Sequence, residues 1–302
     1  MPTPLLTDSG LETWLVFHRE VDLPDFAAFP LVDDPVGRRL LMEYFTDHVR
    51  VAQRAGTDIV LETPTWRANR DWGARLGYDA TALDRVNRDA VALVRGVGDG
   101  FTDVEVVVSG CVGPKGDGYH PDALLEVDAA AGYHRAQIES LAGAGADRVS
   151  LLTATHTGEA IGVIQAATAA GVAAVVAFTV ETDGRLPSGQ SLDDAINEVD
   201  DATAGTALHF GVNCAHPDHF GPALDGDARA IQRIALVRAN ASRASHAELD
   251  EAEVLDDGDP EELARQYAEM LDAHPHLSVL GGCCGTDVRH VGAIASACIG
   301  NQ

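Results

Sequence analysis

Eight short apolar runs punctuate the chain, and each is followed by a longer amphipathic stretch or a loop. They span residues 4–7, 58–62, 105–109, 148–153, 172–179, 208–212, 235–239 and 277–280. Most are rich in Val, Leu or Ile and bounded by Gly, Asp or Pro, as suits strands buried on both faces of a parallel sheet. Between them, apolar residues recur at helical spacing. Leu40, Leu41, Tyr44, Phe45, His48 and Val49 do so, with Gly56 as a stop. Further helices are expected from Leu124 to Leu141, from Ile161 toward Gly171, after Pro260, and from Asp287 through Ile299. Eight strand–helix units predict an α/β fold, a (β/α)8 TIM barrel, as one domain over residues 1–302. A doubly wound open sheet is the alternative. Gly110, Gly113, Gly116 and Gly118 lack the GxGxxG order that such a sheet uses to bind dinucleotides.

The formal charge is −26, and Lys115 is the single lysine. Such a surface repels nucleic acid and anionic lipid, so neither is expected as a partner. The opening MPTPLLTDSG has no basic segment followed by an apolar core, and no run reaches the roughly 18 apolar residues that span a bilayer. A cytoplasmic protein is expected, with partners that are small molecules; self-association into a homo-oligomer stays open. Reduced cysteines in that compartment are read as ligands, nucleophiles or core residues before disulfides. Residues 250–260 (DEAEVLDDGDP) are acidic and read as a solvated surface turn.

Function in a barrel sits at the carboxyl ends of the strands. There the sequence places Asp8-Ser9-Gly10, Glu62-Thr63-Pro64-Thr65-Trp66, Ser109-Gly110-Cys111, Gly211-Val212-Asn213-Cys214, Asn240 and Gly281-Gly282-Cys283-Cys284-Gly285. Strands six and eight are second neighbours, so Cys214 can face Cys283 and Cys284. Gly281, Gly282 and Gly285 are expected to give the adjacent pair its turn. Three thiolates at one point need a cation. Zinc suits soft sulfur ligands, and three protein ligands leave a fourth position open, as catalytic sites do. A substrate thiol bound there would ionise near neutral pH and could attack an electrophilic carbon. The competing reading is a tight turn with two core cysteines. Cys111 lies near enough to take part, whereas Cys298 reads as packing. His216 and His219 form no zinc spacing and read as surface or helix-start residues. Asp8 and Glu62 are candidates to recognise a substrate ammonium or sulfonium, or else cap the following loops. Trp66 is placed to pack on a sulfonium methyl group, or to anchor its loop.

The segments GVNCAHPDH and LGGCCGTDVRH resemble the two zinc-ligand motifs of the homocysteine S-methyltransferases. LLTDSGLET is similar to that family's Asp-Gly-Gly opening, LETPTWRAN to its Thr-Asn-Thr-Tyr-Gln segment, and SGCVGPKG to its Gly-Pro loop. The resemblance covers nearly the whole chain. It implies a (β/α)8 barrel and Zn2+ held by Cys214, Cys283 and Cys284, with a homocysteine-like thiol as fourth ligand. It also implies direct methyl transfer from a small onium donor, S-methylmethionine or S-adenosylmethionine being favoured, to give methionine. Asp8, Ser9, Glu62, Thr65, Trp66, Thr153 and Asn213 would then shape the substrate pocket. Three places depart from the pattern. Leu152-Thr153 stands where the family has Glu-Thr, Ser9 replaces a glycine, and Trp66-Arg67 replaces Tyr-Gln. The alternatives are the same zinc chemistry on a different thiol or selenol, for which Arg67 or Arg148 would favour a carboxylate-bearing acceptor, and a zinc- or thiol-binding protein without turnover.

Overall fold

A computed structural model describes residues 3–118 and 124–300. Eight parallel strands close on themselves in sequence order. They are β1 Leu5–Thr7, β2 Ile59–Glu62, β3 Val106–Val112, β4 Arg148–Ala154, β5 Ala173–Phe178, β6 His209–Asn213, β7 Ile234–Ala239 and β8 Val279–Gly282. β1 pairs with both β2 and β8, which closes the barrel and rules out the open sheet. All eight expected runs are strands. β3 continues to Val112, so Cys111 lies within the ladder, paired with Ser150, rather than beyond it.

Side chains alternate between the barrel lumen and the surrounding helices. The outward residues, such as Leu6, Ile59, Leu61, Val149, Leu151 and Val237, join the large core under the helices. The inward ones form a smaller cluster of Val60, Cys111, Leu152, Val175, Ala177, Leu236 and Val279. This double burial, worth roughly 1.5–3 kcal/mol for each large aliphatic side chain, explains why the strands read as continuous apolar runs.

The helices begin and end where local chemistry directs. Pro35–Ala55 starts on Asp34, whose carboxylate accepts from the Gly37 amide, and stops at Gly56 with φ of +67°. Its buried face carries Leu41, Tyr44, Phe45, His48 and Val49. Pro260–Ala273 starts on Asp259, and Val288–Cys298 on Asp287. The helix expected from Leu124 begins at Val127. Among the described residues no helix is long and apolar enough to cross a membrane.

Candidate metal centre and substrate cavity

The carboxyl ends of the strands surround a cavity of about 490 Å³, within the range of small-molecule sites. Cys214, Cys283 and Cys284 meet in its wall. Their sulfurs all lie within 4.8 Å of one another, and this is the group among the described residues able to hold a metal ion. The Cys214 and Cys284 sulfurs are 3.9 Å apart. A tetrahedral centre with Zn–S near 2.3 Å separates its sulfurs by about 3.8 Å, so the three residues fit a zinc ion closely.

The backbone builds this cluster. Cys214 follows β6 with φ of +54°, in the left-handed region that turns its side chain out of the strand's alternation. Cys283 continues the ladder by bonding Ala239 O, and Ala241 bonds Cys284 O. Of the three glycines flanking the pair, only Gly285 uses a left-handed conformation, with φ of +78°. Gly281 and Gly282 are required by close approach instead. A Cβ would lie 1.9 Å from Thr7 Oγ1 at the first and 2.0 Å from Thr286 Oγ1 at the second.

Asn213 and Thr153 brace the sulfurs. Asn213 Oδ1 accepts from the Thr153 amide at 2.8 Å, and its Nδ2 donates to Thr153 Oγ1 at 3.0 Å. Thr153 Oγ1 donates to Cys214 Sγ, and Asn213 Nδ2 to Cys283 Sγ, both at 3.7 Å. The thiols respond unequally. Hydrogen bonds from Cys214 and Cys284, aided by the charge of Arg238, hold the Cys283 thiol well below its ordinary value. Hydrogen bonds with Cys214 and Cys283 push Cys284 up, and the bond to Cys283 raises Cys214. Three thiolates this close repel one another unless a cation lies between them.

A wall of charge stands beside the sulfurs. Arg238 points inward from β7 and reaches Asp8 Oδ1 at 2.6 Å. Its Nε donates to Gly282 O and its Nη2 to Ser9 O, both at 3.1 Å. Asp8 Oδ2 accepts from the Glu62 amide at 3.3 Å. Burial pushes the Asp8 carboxyl up, and Arg238 and His48 pull it back. Ser9 is engaged from behind: its hydroxyl meets His48 Nε2 at 2.8 Å and Tyr44 Oη at 3.1 Å. Glu62 also faces the cavity, and burial lifts its carboxyl to about 6.

Other expected residues fall in different places. Thr65 lies behind the lining; its hydroxyl donates to Cys111 O, and Thr63 takes the position on the cavity wall. Trp66 lines the cavity and donates to Leu152 O at 3.3 Å, while the Arg67 guanidinium lies 5.0 Å from its ring centre. Arg67 also pairs with Asp117 at the mouth. Arg148 is buried at the start of β4 and lies outside the cavity lining. Cys111 lines the cavity, outside the group of three. Cys298 is buried in the last helix. His216 starts the short helix Pro217–Phe220 by accepting from the Asp218 amide.

The acidic segment after β7 is exposed to solvent, as its composition suggested, and it also borders the cavity. Leu249, Asp250, Ala252, Val254, Leu255 and Asp256 line it, with Asp256 anchored by the Ser242 hydroxyl at 2.6 Å. Glu12, one turn past Asp8, was missed. It lines the cavity, and burial raises its carboxyl to about 7, with the charges of Cys283 and Asp8 adding to the shift. Arg238 was hidden as a single charge inside an apolar run, although it shares the inward parity of Leu236.

Comparison with known proteins agrees with this architecture. Solved structures of the homocysteine methyltransferase MmuM from Escherichia coli superpose closely. The metallated form gives a TM-score of 0.77 at 24% identity, covering 97% of this chain and 96% of that one. The oxidized form gives 0.78 at 22% identity, covering 97% and 95%. These likenesses establish the fold. The sequence model of the homocysteine S-methyltransferase family matches residues 5–298. That match sets aside a binding protein without turnover: the chain belongs to the homocysteine S-methyltransferase family of methyltransferase enzymes.

Proposed function

We propose that the protein moves a methyl group from a small sulfonium donor, S-methylmethionine or S-adenosylmethionine, to the thiolate of homocysteine, giving methionine. The observation that carries this reading is the convergence of three cysteine sulfurs on a cavity otherwise rich in carboxylates. When bound by Cys214, Cys283 and Cys284, zinc would supply an open fourth position at which a thiol ionises near neutral pH. Asn213 and Thr153 fix the sulfurs by hydrogen bonds, so the thiol is presented at a defined place. Arg238 sets a positive charge beside this sulfur-rich, anionic site.

Glu12, Asp117, Asp250 and Asp256 surround the approach and favour a positively charged donor over an anionic one. Trp66 and Phe17 offer apolar surface to its methyl groups. The sulfur–carbon bond to the acceptor forms as the donor's carbon–sulfonium bond breaks. The acceptor's proton passes to solvent as the thiol ionises before attack, and the donor departs as a neutral thioether. A cytoplasmic setting, which keeps the thiols reduced, goes with this chemistry.

A second reading keeps the chemistry and changes the acceptor to a different thiol or selenol. Leu152 favours it, because an apolar side chain stands where the resemblance expects a glutamate. Incubating the zinc-loaded protein with a panel of thiols and with S-methylmethionine, S-adenosylmethionine or betaine, followed by mass spectrometry, tests both. Methylated homocysteine supports the first reading. Methylation of another thiol alone supports the second, and no methylated product from any pair overturns both.

A further inference from the structure

The cavity carries one buried carboxylate that the protein leaves without a close partner. Glu62 ends β2 and is 5% exposed. Neither of its carboxylate oxygens has a partner at hydrogen-bond distance; the neighbouring Ser109 hydroxyl, which is shared with Ser150 at 2.7 Å, gives it weak support. The charges of Arg238 and Arg148 reach it, yet neither guanidinium forms an ion pair with it among the described residues. Arg238 is committed to Asp8, Ser9 O and Gly282 O. Asp8, the neighbouring carboxylate, is compensated by that same guanidinium and by the Glu62 amide. Burying an ionised group without hydrogen bonds is costly. Such a group is retained where a ligand completes it.

The chemistry of that ligand is constrained. A buried carboxylate with acceptor capacity to spare calls for a cation that also donates hydrogen bonds. A primary ammonium has three N–H donors, whereas a sulfonium has none. At the end of β4, where the resemblance places a glutamate, Leu152 is apolar and packs with Cys111, Val175 and Ala177. It offers the cationic group nothing, and its surface suits the methylenes. Proximity assigns the ligand to the acceptor. Glu62 bonds through its amide to Asp8, Asp8 pairs with Arg238, and Arg238 bonds Gly282 O, one residue before Cys283. Glu62 is thus tied to the strand end that carries the sulfurs and lines the same cavity, buried where Val254 is 79% exposed.

We propose that Glu62 is the specificity residue of the acceptor site, its carboxylate receiving the primary ammonium of the thiol held at the cysteine centre. The acceptor is an aminothiol whose ammonium lies against β2, not β4. This rests on the thiol-methylation reading above and narrows its substrate class. The test is calorimetric binding, without methyl donor, of homocysteine and its desamino analogue 4-mercaptobutyrate to the zinc-loaded protein. The wild type is expected to bind homocysteine at least ~10-fold more tightly, in line with hydrogen bonds to a charged group. Glu62→Gln should remove that preference by weakening homocysteine ~10-fold or more, leaving the analogue within about twofold. If Glu62→Gln does not fold, Glu62→Asp and the wild-type preference serve in its place, the shorter carboxylate being expected to cut the preference at least threefold. Equal wild-type affinity for the two thiols, or equal weakening of both by the substitution, overturns the proposal while leaving thiol chemistry standing. A zinc-loaded wild type that binds neither thiol overturns the functional reading, and this one with it.

Discussion

The sulfur cluster and the charged wall beside it share one cavity but are built on different principles. The cluster draws on two strand ends, β6 and β8, and one ion would satisfy its three cysteines. The wall draws on β1, β2 and β7, and satisfies itself incompletely. Asp8 and Arg238 neutralise each other, whereas Glu62 is left open. The difference separates two tasks. Metal chemistry at the cluster would depend on the three cysteines, so it would survive changes in the surrounding pocket. Recognition depends on which buried charges remain uncompensated, so a single substitution such as leucine at position 152 can redirect it.

Breaking the cluster should have the largest effect. Cys214→Ser is expected to lose bound zinc and methyl transfer together, measured by metal analysis and turnover. An active, zinc-free variant would separate the reaction from the cysteines. Breaking the compensated pair comes next. Arg238→Met leaves Asp8 buried without its cation and should destabilise the fold by about 3–5 kcal/mol, read by denaturant unfolding. Arg238→Met with Asp8→Asn removes both charges and should recover much of that loss.

The uncompensated side should behave in the opposite sense. The Glu62 carboxyl is raised from 4.5 to about 6 by burial. Its ionised form is therefore disfavoured in the folded state, at a cost that grows from pH 4.5 to 6 and stays constant above. The shift corresponds to about 2 kcal/mol. Glu62→Gln should stabilise the protein by roughly that amount at pH 8 and by almost nothing at pH 4.5, while weakening acceptor binding. A variant destabilised at pH 8 would mean that Glu62 is compensated after all. The smallest effect belongs to the mouth. Asp250→Asn removes one exposed charge and should raise the KM for a cationic donor about two- to threefold, less at high salt.

Much of the fold was legible because a parallel strand buried on both faces has no polar positions to obscure it. The cysteine centre was legible because its ligands lie beside glycines at two strand ends. The charged wall was not, for three separate reasons. Arg238 looks like an interruption of β7 until its inward parity is matched to that of Leu236. Thr63 and Thr65 share a parity, and the sequence pointed to Thr65; hydrogen bonding to Cys111 O takes Thr65 out of the lining and leaves Thr63 there. The segment 250–256 is dominated by carboxylates and is exposed, as they favour, so nothing in its composition showed that it also borders the cavity.

The central claim is that three cysteines hold a zinc ion with one position kept for the acceptor thiol. X-ray absorption at the zinc edge addresses it directly. The account predicts three sulfur neighbours near 2.3 Å in the zinc-loaded protein and a fourth on addition of the acceptor, as expected for Zn–S bonds. A sulfur count that stays at three with the acceptor bound, or a wild-type zinc site unchanged by Cys214→Ser, would contradict it.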